Sequence, residues 1–191
     1  MVALIVISLS GNEDDSSYEA TIQEKLENQK RYLKFNDQSP FNVHAVEYRD
    51  PAYYPIDPDY RVTATVEKIN KGEILNVEIS DGTVEQYRKY AWLNFSSGEN
   101  SGRLLVLKPA GFGALPNLFC AFADGTSGES TYGGGRYLDV EIGKSNKLVL
   151  DFNLAYNPYC AYVSSYSCPL PPSENLLDFP IFAGEKDFKS N

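Results

Sequence analysis

Hydrophobic positions in this chain follow two different periods. From Tyr18 to Leu33 they recur at helical spacing: Tyr18, Ile22, Leu26 and Leu33, with Glu24, Lys25, Lys30 and Arg31 on the opposite face. That spacing predicts one amphipathic helix over about Ser17–Leu33, laying a narrow apolar stripe on the rest of the fold. Ser16 with Glu19 fits a capping box and places the helix start. Beyond Arg61 the period is two. Val62, Ala64 and Val66 share one face of a strand over Arg61–Ile69. Leu75, Val77 and Ile79 alternate with Asn76, Glu78 and Ser80, and Asp81-Gly82 is a hairpin signal that returns the chain along Thr83–Tyr90. Further strands are predicted at Ala91–Phe95, Arg103–Leu107, Leu118–Ala123, Arg136–Ile142 and Leu148–Phe152. Short strands at close spacing, without alternating helices, predict a mainly β domain: an antiparallel sandwich or barrel-like fold with one N-terminal amphipathic helix.

The flanks are less regular. Val2–Leu9 is apolar but too short to span a bilayer. No lysine or arginine precedes it, as a signal peptide would require, and LSG before Asn12 approaches a lipoprotein cleavage box without its cysteine. A first strand, a disordered start and an export-signal remnant all stay open. Gly11–Ser17 reads as a polar, acidic leader, so the expected division is 1–16 leader and 17–191 one β-rich domain. Asp50–Pro58 and Pro109–Pro116 read as irregular connections. The C-terminal part, Pro169–Asn191, is expected to wrap the surface, with Phe179–Phe182 adding an edge strand.

Composition narrows the function classes. At 191 residues the chain suits a single domain with its own core. A net charge of −9 argues against nucleic-acid and anionic-membrane partners. No cofactor fingerprint is present, and Gly143-Lys144-Ser145 lacks the earlier glycine of a P-loop and reads as an exposed turn. The single histidine, His44, lies far in sequence from the hydroxyl-rich loop, which disfavours a Ser-His-Asp enzyme. Compartment and oligomeric state stay open.

The densest run of glycine, hydroxyl and tyrosine residues is Phe119–Cys168. Gly133-Gly134-Gly135-Arg136 suits two readings. It is an anion cradle, with converging backbone N–H groups and a bidentate guanidinium fork. Or it is a tight glycine turn before a strand, with Arg136 paired to an internal acid. Asp124-Gly125-Thr126-Ser127-Gly128 reads as a polar turn whose side chains serve nearby backbone, or as a ligand loop beside Arg136. Asp151, Asn153, Tyr156 and Asn157 either brace an irregular loop or face Asp124 and Arg136 across a pocket. The candidate ligand-binding set is therefore Asp124, Thr126, Ser127, Tyr132, Arg136, Asn153, Tyr156 and Asn157. Carboxylates available for proton transfer are Asp124, Glu129 and Asp151. Cys160 and Cys168 flank a tyrosine-rich loop at a spacing that matches no zinc pattern, so no metal site is assigned. They are expected to be spatial neighbours. They form a disulfide worth about 2–3 kcal/mol if the protein is exported, or a buried or reactive pair of thiols otherwise.

The words DGTSGESTYGGGRYLD, LDFNLAYNPYCAY, CPLPPSEN and AGEK, in that order, resemble a bacterial and archaeal family known as domain-of-unknown-function family 1684. YYPIDPDYRVTATV, at Tyr53–Val66, resembles its earlier half, so the resemblance covers roughly Tyr18 to Lys186. It implies where a site lies and carries no chemistry. Three functional readings follow. The first is a polar pocket for a small anionic ligand. The second is a non-enzymatic structural or envelope-associated domain. The third is a hydrolase using a carboxylate-activated water.

Overall fold

The two periods of the sequence separate cleanly in the computed structural model, which describes residues 12–110 and 118–188. Helix α1 runs Asn12–Phe35 and buries Ile22, Leu26 and Leu33, the predicted stripe. It starts earlier than the capping box implied. Ser16 lies inside the helix, and residues 12–16 are helical. An acidic residue such as Asp15 suits the positive end of a helix dipole. The apolar segment Val2–Leu9 lies outside the described residues. A short helix, α2, follows at Pro40–Val43, capped by the Ser39 hydroxyl.

Seven strands follow: β1 Arg61–Lys68, β2 Ile74–Glu78, β3 Val84–Ser97, β4 Asn100–Pro109, β5 Leu118–Phe122, β6 Arg136–Val140 and β7 Lys147–Asp151. They form one antiparallel sheet in the order β6-β5-β4-β3-β1-β7, with β2 beside β3. The sheet curls into a half-barrel, so the barrel-like alternative holds. β3 is one strand where two had been expected. Its pairing with β4 slips between Lys89 and Ala91, so a bulge at Tyr90 bends it without ending it. α3, at Tyr159–Tyr162, is a single turn.

Alternate residues of the strands point to an inner face that holds the main core, including Val62, Leu93, Leu104, Phe122, Leu138 and Phe152. A smaller cluster on the outer face joins Val77, Tyr87, Leu105 and Leu107. A third, at the end of α1, packs Leu33 and Phe41 on Tyr162, Val163 and Phe188.

The C-terminal segment corrects the expectation of a surface wrap. Leu177, Phe179, Ile181, Ala183 and Glu185 are all buried, while Leu176, Asp178, Pro180 and Phe182 are exposed. This strap has a strand's alternation but is no edge strand of the sheet. Its backbone bonds run to loops and side chains instead: Leu177 N–H to Ala123 O, Glu185 N–H to Ala155 O, and Ile181 N–H to the Asp124 carboxylate. Asn175, at its head, wedges between β4 and β5, which pair only at Leu107 and Phe119. Its carboxamide accepts from Leu105 N–H and donates to Leu105 O and Ala121 O at 2.9 and 2.8 Å. A side chain thus stands in for a peptide unit of a neighbouring strand.

Candidate functional site

Arg136 opens β6 and is fully buried. A guanidinium keeps its charge in the interior and must find acceptors there. One Nη donates to Asp124 Oδ2 at 2.8 Å and to Ile181 O at 3.0 Å. The other donates to Ala183 O and, at 3.4 Å, to Glu185 O. The fork therefore supplies the strap with the donors that a sheet strand would have supplied. Phe122 covers the guanidinium, its ring centroid 5.4 Å from Cζ, and Nε has no hydrogen-bond partner.

The Asp124 turn is built to face this arginine. Asp124 Oδ1 accepts from Thr126 N–H, from the Thr126 hydroxyl at 2.6 Å, and from Ile181 N–H. Ser127 Oγ accepts from Asp124 N–H, and the Thr126 and Thr131 hydroxyls lie 2.9 Å apart. The glycines before Arg136 have separate occupations. Gly135 sits at φ +81°, where a Cβ would meet Phe122 O at 2.6 Å. A Cβ on Gly134 would meet the Tyr132 ring at 2.5 Å, so its absence lets that ring lie against the backbone. The Tyr132 hydroxyl then reaches the Cys160 sulfur at 3.8 Å.

Asn153 is equally engaged. Its amide donates to Asp57 O, Asp151 Oδ1 and the Tyr18 hydroxyl, and its oxygen accepts from Asp57 N–H. Tyr18 in turn donates to Asp151 Oδ2 at 2.9 Å, which ties α1 to the end of β7. Burial and this carboxylate push the Tyr18 hydroxyl well above its ordinary value. Glu129, the other candidate carboxylate, is exposed.

Asn157 and Tyr156 lie elsewhere, on a groove left by the half-barrel. The free edges of β6 and β7 do not meet, and α1 crosses over the gap. The resulting groove, about 430 Å³, is lined by Leu138–Glu141, Leu148–Asp151 and Leu154, and by Lys25, Gln29, Tyr32 and Leu33 of α1. Tyr156, Asn157, Tyr159 and Tyr162 complete it. Tyr156 donates to Asp139 Oδ1 at 2.9 Å. The Asn157 amide donates to Glu185 Oε1 and Lys186 O, but its buried oxygen has no hydrogen-bond partner. Asp124, Thr126 and Arg136 are not among the groove's lining residues, so the structure does not set the two predicted clusters face to face across it.

Behind the groove lies a carboxylate that the sequence reading did not single out. Glu185 is fully buried. It accepts from Asn157 N–H and Nδ2, and the Tyr162 hydroxyl is 2.7 Å from both its oxygens. Burial outweighs these donors and raises its pKa to about 7. The only signal in the sequence was the alternation from Leu177 to Glu185. Cys160 and Cys168 are neighbours with unbonded thiols: Cys160 N–H lies 3.2 Å from Cys168 Sγ. Among the described residues, no group of three or more His, Cys, Asp or Glu is placed to hold a metal ion.

The model of a protein family of unknown function, DUF1684, matches residues 46–186. The chain belongs to this family. A similar fold is seen in the solution NMR structure of an uncharacterized protein from gene locus rrnAC0354 of Haloarcula marismortui. It is 34% identical to this chain, with a TM-score of 0.69, and the match covers 92% of this chain and 97% of the other. No curated protein matches this DUF1684 chain. Among its described residues no helix is long and apolar enough to cross a membrane.

Proposed function

We propose that this domain is a small-molecule binding module whose site is the groove between β6 and β7, beneath α1. The observation that carries this reading is the unclosed sheet: two strand edges and a helix frame about 430 Å³ of space, within the range of ligand sites. Tyr156 and Asn157 stand among its lining residues. Leu138, Val140, Leu148, Leu150 and Leu154 supply an apolar floor. Asp139, Glu141 and Asp151 outnumber Lys25 around it, which favours a neutral or cationic head over an anionic one. Of the predicted ligand residues, Tyr156 and Asn157 belong to this site. In this reading Asp124, Thr126, Ser127, Arg136 and Asn153 hold the fold.

The test is a thermal-shift and native mass-spectrometry screen of small amphipathic amines, amides, carboxylates and phosphates, run on wild type and Gln29→Trp. Gln29 lines the groove, and an indole there narrows it. Amines or amides that stabilise wild type but not Gln29→Trp support the reading, because a ligand of the native state must stabilise it. Anions that bind both proteins equally overturn it.

A second reading, an architectural domain without a ligand, is favoured by the complete internal pairing of both Arg136 amino groups. A screen with no stabilising compound supports that instead. The hydrolytic reading has less behind it, because Asp139 and Asp151 both already accept from tyrosine hydroxyls.

A further inference from the structure

The chain carries three thiols in three different settings. Cys120 is sealed in the core, and burial pushes its thiol up. Cys160 and Cys168 each retain 7% exposure against 0% for Cys120, so they lie at the edge of solvent. Polar groups hold the two sulfurs in place: the Tyr132 hydroxyl lies 3.8 Å from the Cys160 sulfur, and the Cys160 N–H donates to the Cys168 sulfur at 3.2 Å. That arrangement holds Cys160 below the ordinary thiol value, with the Cys168 hydrogen bond as its largest cause, and pushes Cys168 up. The ionisable side chains facing the pair include Tyr132, Tyr137 and Tyr87, all pushed up by burial, with Asp187 acting on Tyr132. The scaffold around the pair is anchored. Cys168 donates its N–H to Ser80 Oγ at 3.0 Å and accepts from Ser80 N–H. Gly134 lets Tyr132 lie in place.

We propose that Cys160 and Cys168 form a thiol–disulfide exchange site. Cys160 is the attacking nucleophile, Cys168 the resolving thiol, and a small soluble disulfide the substrate class. The Cys160 thiolate attacks one sulfur of the disulfide, forming a mixed disulfide and breaking the incoming S–S bond. The leaving thiolate takes that bond's electron pair and a proton from solvent. Cys168 then loses its proton and attacks the Cys160 sulfur, which expels the second small thiolate. The two cysteines are oxidised to one disulfide, and one small disulfide is reduced to two thiols. The short contact between Cys160 N–H and Cys168 Sγ suits this closure, which needs closely spaced backbones. The site does not depend on the groove.

The experiment uses oxidised glutathione on the folded protein, with thiol titration and peptide mass mapping. In wild type two of the three thiols disappear and a 160–168 disulfide forms while Cys120 stays reduced. Cys168→Ser stalls as a glutathione adduct on Cys160. Cys160→Ser reacts at least about tenfold more slowly, because the remaining thiols lack activation. The wild-type rate levels off below about pH 8, under the ordinary thiol range, and Tyr132→Phe moves that midpoint upward. The proposal is overturned if Cys160 reacts only after unfolding. It is also overturned if each single variant leaves the other cysteine reacting at the wild-type rate.

Discussion

The Arg136 cluster and the groove between β6 and β7 share strand β6 and contrast in closure. Around Arg136, four acceptors meet the two amino groups of the fork, and Asp124 is satisfied by Thr126, Ile181 and the arginine itself. Each region keeps one buried polar atom without a partner, Arg136 Nε and Asn157 Oδ1, but in the groove two strand edges stay apart. The glycine-rich run before Arg136 draws the eye, yet it serves closure. The groove sets leucines and valines beside Tyr32, Tyr156, Tyr159 and Tyr162 and the acids Asp139, Glu141 and Asp151. Unusual sequence marks a difficult connection at least as readily as it marks a binding site.

Removing the arginine tests the closed half most severely. Arg136→Ala leaves Asp124 buried without its cation and removes the donors to Ile181 and Ala183. The expected loss is about 3–5 kcal/mol, read by urea unfolding. Arg136→Lys is also expected to lose stability, because three ammonium donors on a flexible stem do not reproduce a planar fork. A loss below about 1 kcal/mol for the alanine variant would return the fork to a ligand role.

Glu185 links the two halves and gives the next largest effect. Its folded pKa, about 7, lies above the ordinary 4.5. Below pH 4.5 both folded and unfolded chains hold the proton, so this group costs nothing. As pH rises toward 7 the unfolded chain releases the proton while the fold retains it, so stability falls. The full loss is about 3 kcal/mol above that range. Urea unfolding across this window should show the decline in wild type and a flatter profile in Glu185→Gln. Parallel profiles for the two proteins would refute the assignment.

Gly135→Ala tests whether the glycine run is architecture. The methyl group meets Phe122 O in a left-handed backbone, and the expected cost is about 1–3 kcal/mol. A neutral result would leave room for a cradle. Gln29→Trp gives the smallest stability change, within about 0.5 kcal/mol for a substitution away from the core. Its loss of ligand binding sharpens the contrast, since the groove would then be separable from the fold.

Much of the scaffold was legible because its signals are local. The spacing of Ile22, Leu26 and Leu33 fixed the buried side of α1, and the alternation of Val62, Ala64 and Val66 fixed that of β1. Asp81-Gly82 sits in the expected turn, with Gly82 at φ +84° and Thr83 N–H on Asp81 Oδ1. The strap was legible as alternation but not as core. Nothing local announces that Arg136 and Asp124 stand in for a strand partner 45 and 57 positions away. The groove was illegible for a related reason. Whether β6 meets β7 is a property of sheet closure, and no window of sequence contains it. Cys160 and Cys168 were expected as neighbours from their loop, whereas Tyr132 and Ser80 join them only in three dimensions.

Asn175 sets a clock on biosynthesis. The backbone groups it satisfies belong to Leu105, 70 positions earlier, and to Ala121, 54 positions earlier. A chain emerging from the ribosome exposes β1 to β7 well before Asn175 arrives. Until then the opening between β4 and β5 has no wedge, and those three backbone groups lack their partners. The strap that fills the inner face follows Asn175 and arrives later still. A nascent chain stalled before that residue is therefore a sheet with an unfilled interior, and such surfaces attract other chains. Protection from proteases should appear abruptly, when the last residues of the strap leave the exit tunnel, rather than strand by strand.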